Sequence, residues 1–212
     1  MIAPHIKELI TSKGASVIRK MFEEGVVLKK QYGADNVFDF SLGNPDLDPP
    51  EEVAEAIKAL AADTSHGVHG YMPNAGYPQT REAMARKTEK EQGLSAGSLS
   101  FGNVVMTVGA ASALNCVFKA ILSPEDEVIV PAPFFAEYRH YVHNYGGKLI
   151  EVPTKADFSL DVEAIRKALS PRTAAVLINT PNNPTGRVYT ENDILSLTDI
   201  LKAHAASGGR KP

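Results

Sequence analysis

The chain has 212 residues, of which 43% are hydrophobic and 22% charged, and this composition is typical of a globular chain with one sizeable core. Its formal net charge is -3 with both signs interspersed, which excludes the electrostatic signature of a nucleic-acid or anionic-membrane partner. The single cysteine, Cys116, excludes an internal disulfide framework, and the lack of an apolar leader or a transmembrane-length run predicts a cytoplasmic location.

The first part of the chain is predicted to contain two helices and one short strand. Apolar residues at helical spacing predict a helix near residues 16–28, and a second helix opens at Glu51. Residues 38–42 alternate between apolar and polar side chains, as a strand does. The turn that follows at Gly43 permits close approach of a ligand, because glycine lacks a β-carbon.

The rest of the chain alternates between apolar and helical segments, which indicates an α/β fold with a mostly parallel sheet flanked by helices. A loop rich in glycine and proline, residues 67–76, contains Tyr71 and precedes a helix over 80–91 with Glu89 facing outward. The predicted strands are Val104–Val108, Glu127–Val130, Lys148–Val152 and Ala174–Asn179. The remaining predicted helices cover residues 113–122, 136–145, 162–169 and 191–206, with Asp161 and Thr190 as N-caps of the last two.

The segment after the fourth predicted strand, Ile178–Gly186, is dense in turn-forming residues. Its prolines and glycine fix the backbone, while its asparagines expose side-chain amides. In an α/β sheet such a loop leaves the carboxyl end of a strand, where ligands bind. We interpret Asn183 as the functional group, and Pro184 and Gly186 as the residues that aim it. The alternative is an ordinary turn between a strand and a helix.

Two further loops carry candidate binding groups. Gly109–Ser112 joins a strand to a helix, so free backbone N–H groups and the helix dipole favour a phosphate there, although tight turns favour small residues anyway. Phe134 and Phe135 follow the next strand; one of them is a candidate for stacking on a flat ring, while core packing is the commoner role. His140 and His143 lack the partners that would complete a metal set, so we predict no metal site.

These segments occur in one order along the chain, and the combination resembles the amino-terminal half of the pyridoxal-phosphate-dependent aminotransferases of fold type I, close to the aspartate aminotransferase class. The matching segments are Ser41–Asp46, Gly70–Gly76, Thr107–Ala111, Asp126–Val130, Pro133–Phe135 and Asn179–Gly186. The resemblance spans nearly the whole chain and implies a three-layer α/β/α fold. It also implies an arm and part of a small domain in residues 1–45, and the first part of the large cofactor-binding domain in residues 46–212.

The resemblance further implies contacts to the cofactor ring and the substrate. Asn183 corresponds to the residue at the phenolic oxygen of pyridoxal phosphate, near the substrate carboxylate. Gly43 corresponds to a backbone position beside that carboxylate. Phe135 corresponds to the aromatic residue that stacks on the pyridine ring. The family also implies cis peptide bonds before Pro133 and Pro184, which the tertiary amide of proline permits.

The phosphate group is expected to have two sources of contacts. The backbone amides at Gly109, Ala110 and Ala111 correspond to the family's phosphate-binding turn. Tyr71 corresponds to a tyrosine that reaches the phosphate of the neighbouring subunit, which implies a homodimer with shared sites.

The residues that complete the family's site are expected outside this sequence. They are the Schiff-base lysine, an aspartate at the ring nitrogen, a supporting tyrosine and a late arginine. No residue here matches them, so we assign no catalytic residue and expect no transamination by this chain alone. We expect this sequence to be the amino-terminal part of a protein about twice as long, so its fold should be incomplete at the C-terminus. In such a partial sheet, residues 104–108 should lie apart from the other strands.

The implied function is transfer of an amino group between an amino acid and a 2-oxo acid through pyridoxal phosphate. Two alternatives stay open at this point. One is a carbon–sulfur lyase or synthase that uses the same cofactor on the same fold. The other is a non-catalytic interaction protein that keeps the fold without the chemistry.

Overall fold

The computed structural model describes residues 2, 7, 17–40, 43 and 47–209. The chain divides into two compact units, Met1–Gly70 and Tyr71–Pro212. The assignment of residues 1–45 to an arm and small domain, and of 46–212 to a large domain, stays a prediction. No helix in the described part of the chain is long and apolar enough to cross a membrane.

The described residues of the first unit from 17 onward include the two predicted helices, α1 (Val17–Tyr32) and α2 (Glu51–Ala62). A short 3-10 helix, Ala34–Asn36, follows α1 after Gly33 reverses the chain at φ +87°. The strand predicted for 38–42 is not found over residues 38–40, because no described residue pairs with them. Ser41 and Leu42 lie outside the described residues, as does most of the predicted turn at 43–46.

The second unit begins with the loop at Tyr71 and helix α3 (Pro78–Glu91), followed by a 3-10 helix, Phe101–Asn103. Glu89 of α3 is buried rather than outward-facing, which corrects the expectation from helical spacing. Its carboxylate accepts the backbone N–H of Leu99 at 2.7 Å and pairs with Arg86 at 2.6 Å. The buried charge of Glu89 is therefore compensated by hydrogen bonds, one of which comes from the loop after α3, ten residues further along the chain.

The strand predicted at Val104–Val108 is wrong. The segment is extended at Val104 but forms no ladder with any described residue. Hydrogen bonds attach it to α3 and to the loop before α3: Arg81 donates to the carbonyl of Val104 at 2.6 Å, and Met106 donates to the carbonyl of Ala75 at 2.9 Å. Because no described strand lies beside it, Val108 is 93% exposed. This agrees with the expectation that the segment lies apart from the other strands.

The remaining elements form one parallel sheet with helices between its strands. The strands are β1 (Glu127–Ala132), β2 (Lys148–Pro153) and β3 (Thr173–Val176), in the order β2-β1-β3. The helices are α4 (Gly109–Ile121), α5 (Tyr138–His143), α6 (Val162–Ala168) and α7 (Glu191–Ala206).

The third strand ends three residues earlier than predicted, and proline explains why. Leu177 donates its N–H to the carbonyl of Ile129 of β1 at 2.8 Å, so the ladder still holds at that point. Two residues beyond Ile129 stands Pro131, which has the same orientation in the strand and no N–H to return to β3. The pairing therefore stops just where the Asn183 loop begins.

The sheet lies between two helical layers, as predicted. Val128 points to one face and packs with Phe118 of α4 and Val142 of α5. Ile129 points to the opposite face and packs in a cluster with Ile165 of α6, Leu197 of α7 and neighbouring side chains. Consecutive residues of β1 thus serve two cores, which is the alternation that a strand covered on both faces requires.

The predicted N-caps of the last two helices are confirmed. The side chain of Asp161 accepts the N–H of Ala164 at 2.9 Å at the start of α6. Thr190 and Asp193 form a reciprocal capping box at the start of α7. Helix α5 is shorter than predicted, covering Tyr138–His143 rather than 136–145.

Candidate cofactor-binding site

The loops that leave β1 and β3 lie side by side at the carboxyl edge of the sheet, because these strands are parallel neighbours. The first loop carries Phe135 and the second carries Asn183. A hydrogen bond joins them: the side-chain amide of Asn182 donates to the carbonyl of Pro133 at 3.1 Å. This bond joins two residues that lie 49 positions apart in the sequence. Phe135 and Asn183, the two residues predicted to contact the cofactor ring, lie close to it in the chain.

The two adjacent asparagines of the second loop face opposite environments. Asn182 is only 7% exposed, and its amide also donates to the hydroxyl of Thr185 at 2.9 Å. Its backbone carbonyl accepts the N–H of Gly186 at 2.7 Å, a turn that Gly186 permits with φ +71°. The sequence pattern predicts that both asparagines are exposed, so the burial of Asn182 is a correction.

Asn183 is exposed, and its side-chain amide has no hydrogen-bond partner among the described residues. Its backbone N–H is held by the side-chain oxygen of Asn179 at 2.8 Å. The backbone is therefore held at Asn182 and at the N–H of Asn183, while the side-chain amide of Asn183 stays available. Such a group donates and accepts hydrogen bonds without carrying a charge.

Both rings of the aromatic pair after β1 contact Tyr138, and both are partly exposed. Phe134 stacks on Tyr138 with centroids 6.3 Å apart, and Arg139 lies 5.1 Å over the same ring. Phe135 meets Tyr138 edge-on at 5.6 Å and is partly exposed. Burial raises the pKa of Tyr138 above its ordinary value, because the ionised phenolate would lose hydration. This packing fixes the position from which the Phe135 ring projects.

The predicted phosphate turn is the first turn of a helix rather than a loop that precedes one. Helix α4 starts at Gly109, four residues earlier than expected. Gly109 has φ +79°, and a β-carbon added there would have no other atom within 4 Å, so the approach to this turn is open. The N–H of Gly109 donates to the carbonyl of Thr107 at 3.0 Å. The N–H groups of Ala110 and Ala111 stand in the first turn, where helical N–H groups have no intrahelical acceptor.

From the connection and lengths of the elements, we infer that the start of α4 lies at the same edge of the sheet as the other two loops. The helix packs on β1 and its C-terminal end connects to the start of β1 through residues 122–126, so the two elements run in opposite directions. Helix α4 has 13 residues and β1 has six. Both are therefore about 20 Å long, which brings the helix start level with the strand end.

No hydrogen bond among the described residues joins Tyr71 to this edge. Tyr71 is fully exposed, although its loop is tied by Ala75 to Met106, just before the phosphate turn. Gly43 belongs to the first unit and is exposed. The roles assigned to both residues stay predictions.

The peptide bonds before Pro133 and Pro184 are cis, which confirms the expectation. The bond before Pro181 is also cis, and the sequence analysis does not predict it. Within the described ranges there is no group of three histidine, cysteine, aspartate or glutamate residues that could hold a metal ion.

The family described as aminotransferase class I and II matches residues 35–207. The chain belongs to this family. It is 43% identical over 164 residues to the probable aspartate/prephenate aminotransferase of Thermus aquaticus, covering 76% of this chain and 41% of that protein. It is 35% identical over 192 residues to aromatic-amino-acid aminotransferase 2 of Thermococcus litoralis, covering 89% of this chain and 46% of the relative.

Solved structures of this aminotransferase family share the fold. An amino transferase from Eubacterium rectale matches with a TM-score of 0.89 and 36% identity, over 99% of this chain and 52% of that one. A single mutant of Thermus thermophilus aspartate aminotransferase matches with a TM-score of 0.82 and 34% identity, over 97% and 51% of the two chains. These matches confirm the predicted fold type I architecture. The chain spans about half the length of the relatives that it matches.

Pyridoxal phosphate is the cofactor expected of a member of this family, and the residues at the carboxyl edge fit it. Phe135 offers a partly exposed aromatic ring, and Asn183 offers a side-chain amide that no described residue engages. The first turn of α4 offers backbone N–H groups and the positive end of a helix dipole to a phosphate. The donors thus match a flat ring that carries an oxygen on one side and a phosphate on another.

Proposed function

We propose that this chain supplies the ring and phosphate side of an aminotransferase site, which moves an amino group between an amino acid and a 2-oxo acid. The observation that carries the proposal is the junction of the Phe135 and Asn183 loops through the hydrogen bond from Asn182 to Pro133. This bond supports a site in which an aromatic ring and an unengaged amide stand on neighbouring loops of one sheet edge. Pyridoxal phosphate supplies the electron sink for this chemistry when it is bound.

Each residue has a defined task in this proposal. Asn183 donates its side-chain N–H to the phenolic oxygen of the cofactor and thereby favours the negatively charged form of that oxygen. Phe135 covers one face of the ring and excludes water from it. The N–H groups of Ala110 and Ala111 hold the phosphate at the start of α4. Gly43 contributes a backbone contact beside the substrate carboxylate.

A homodimer with shared sites belongs to the same proposal. Tyr71 has its full side chain exposed, as a residue that contacts a second subunit would in an isolated chain. Its role at the partner's phosphate is supported only by the resemblance of its loop to the family pattern. A cytoplasmic location is likewise proposed, in agreement with the single cysteine.

The proposal is tested by expressing the protein from its complete gene, removing any bound cofactor, titrating it with pyridoxal phosphate and measuring the dissociation constant by intrinsic fluorescence. Asn183→Ala removes one hydrogen bond to the cofactor, worth about 0.5–1.5 kcal/mol, and should weaken binding about two- to twelvefold. Asn192→Ala is the matched control, because Asn192 is also exposed but lies in the first turn of α7. Equal binding by the wild type and Asn183→Ala would contradict the role of Asn183, and no binding by the wild type would refute the proposal.

The reaction itself is tested on the protein isolated from its natural source. We expect an amino acid to yield its keto acid only when a 2-oxo acid acceptor is added. Keto acid formation without an acceptor would instead indicate lyase chemistry and contradict amino transfer.

A further inference from the structure

We propose that Asn182 is a positioning residue, whose buried amide holds the loop of Asn183 against the loop of Phe135. The inference rests on the proposed function, since it concerns two residues proposed to hold the cofactor ring. It assigns the adjacent asparagines separate tasks: Asn183 contacts the cofactor, and Asn182 fixes where Asn183 stands relative to the aromatic ring.

The first argument is the set of contacts that Asn182 makes. Both hydrogens of its side-chain amide are aimed at acceptors, the carbonyl of Pro133 at 3.1 Å and the hydroxyl of Thr185 at 2.9 Å. Its backbone N–H donates to the carbonyl of Arg187 at 2.8 Å, and its backbone carbonyl accepts from Gly186 at 2.7 Å. Asn182 thus holds the two ends of the turn at 182–187 together, and it attaches this turn to the loop that contains Pro133.

The second argument is that this attachment lies where regular strand pairing has ended. The ladder between β1 and β3 reaches Ile129 and Leu177, and Pro131 then prevents its continuation. Beyond that point, Asn182 provides the hydrogen bond that the described residues show between the loop at Pro133 and the loop at 182–187. A side chain therefore takes over the task of setting the spacing between the two segments.

The third argument is the burial of Asn182. At 7% exposure its donors have little access to water, so loss of the amide leaves acceptors without a replacement partner. Without these hydrogen bonds the loop at 182–187 is expected to move, and Asn183 is expected to move with it. The side chain of Asn182 points into this junction and has no need to touch the cofactor itself.

The decisive variant is Asn182→Asp, which keeps the shape of the side chain and removes its N–H donors. We expect pyridoxal phosphate to bind this variant about two- to twelvefold more weakly than the wild type, comparable to Asn183→Ala. If Asn182 acts through Asn183, the double variant Asn182→Asp/Asn183→Ala should bind within about twofold of Asn183→Ala alone, because effects on one shared interaction do not add. A purely structural role would not produce this non-additivity.

Two companion variants keep the test decisive if Asn182→Asp folds poorly. Thr185→Val removes one acceptor and leaves the bond to Pro133 possible, so it should weaken binding less than Asn182→Asp. Thr154→Val is the matched control: Thr154 donates to the carbonyl of Ala132 at 2.8 Å, the residue next to Pro133, without reaching the Asn183 loop. We expect it to bind pyridoxal phosphate as the wild type does.

A second readout needs no cofactor. In ¹⁵N NMR spectra of the same full-length protein without cofactor, Asn182→Asp should move the side-chain amide signals of Asn183 together with backbone signals of residues 134–136. Thr154→Val should leave the signals of Asn183 unchanged. The inference is overturned if Asn182→Asp binds like the wild type, if the double variant shows additive losses, or if the Asn183 signals stay in place. Failure of the wild type to bind would refute the proposed function, and the NMR comparison would still decide whether Asn182 couples the two loops.

Discussion

Replacing Val128 with alanine should destabilise the second unit strongly, whereas the same replacement at Val108 should have almost no effect. Val128 is 0% exposed and packs between α4 and α5, while Val108 is 93% exposed. Two methyl groups are removed in each case. At Val128 their transfer from the core costs about 1.6 kcal/mol, and the cavity that remains raises the loss to about 2–3 kcal/mol. At Val108 less than about 0.3 kcal/mol is expected, because the methyl groups already contact water.

The measurement is urea unfolding of both variants and the wild type, followed by far-UV circular dichroism. The free energy of unfolding is obtained by linear extrapolation, and a shared m-value shows that the variants expose the same surface on unfolding. The two valines lie in the same unit and undergo the same chemical change, so the difference in burial is the main cause of any difference between the variants. A loss below about 1 kcal/mol at Val128, or a comparable loss at Val108, would refute this account of the core.

Two further outcomes follow from the packing of α3 and its neighbouring loops. Gly76→Ala should lower the free energy of unfolding in urea by about 2–4 kcal/mol, since Gly76 has φ +99° and an added β-carbon would lie 2.7 Å from Met106. Gly97→Ala is the control: Gly97 has φ +82° but open space around it, so the loss should be only about 1 kcal/mol. Equal losses in the two variants would contradict the steric argument. The hydrogen bond from the N–H of Leu99 lowers the pKa of Glu89 in the folded protein. The ionised carboxylate therefore stabilises the fold at pH values above the ordinary glutamate pKa of about 4.3. This stability is lost as the pH falls through the lowered pKa of the folded state. Unfolding of Glu89→Gln should therefore depend less on pH below about 4.3 than that of the wild type, and parallel pH profiles would exclude the effect.

Several features of the fold are predictable because their causes are local. Asp161 and Thr190 cap helices through hydrogen bonds that span three residues, so the sequence around each position contains both partners. Strand β1 is predictable because the apolar run that follows Glu127 indicates a buried parallel strand. The family pattern further indicates the cis bonds at Pro133 and Pro184, and these are present.

The candidate site is predictable in part. Loops at the carboxyl ends of parallel strands meet at one edge, so Phe135, Asn183 and the turn at Gly109 are expected to be neighbours on topological grounds. The task of Asn182 is not predictable in this way, because its partner Pro133 lies 49 positions away. Two adjacent asparagines look alike in sequence, and only the packing of one loop against another distinguishes the buried one from the exposed one.

By itself, the sequence determined which segments form helices, which apolar runs are suited to a strand, and which family the motifs resemble, since these depend on periodicity, capping and short-range spacing. Tertiary structure decided which of those apolar runs form strands and which charged side chains are buried. Val104–Val108 and β1 are similarly apolar, yet among the described residues only β1 has neighbours to complete its hydrogen bonds. Glu89 is buried because a distant loop supplies its donors. A backbone hydrogen bond or a buried charge needs a partner, and the presence of that partner is a property of the folded chain rather than of the local sequence.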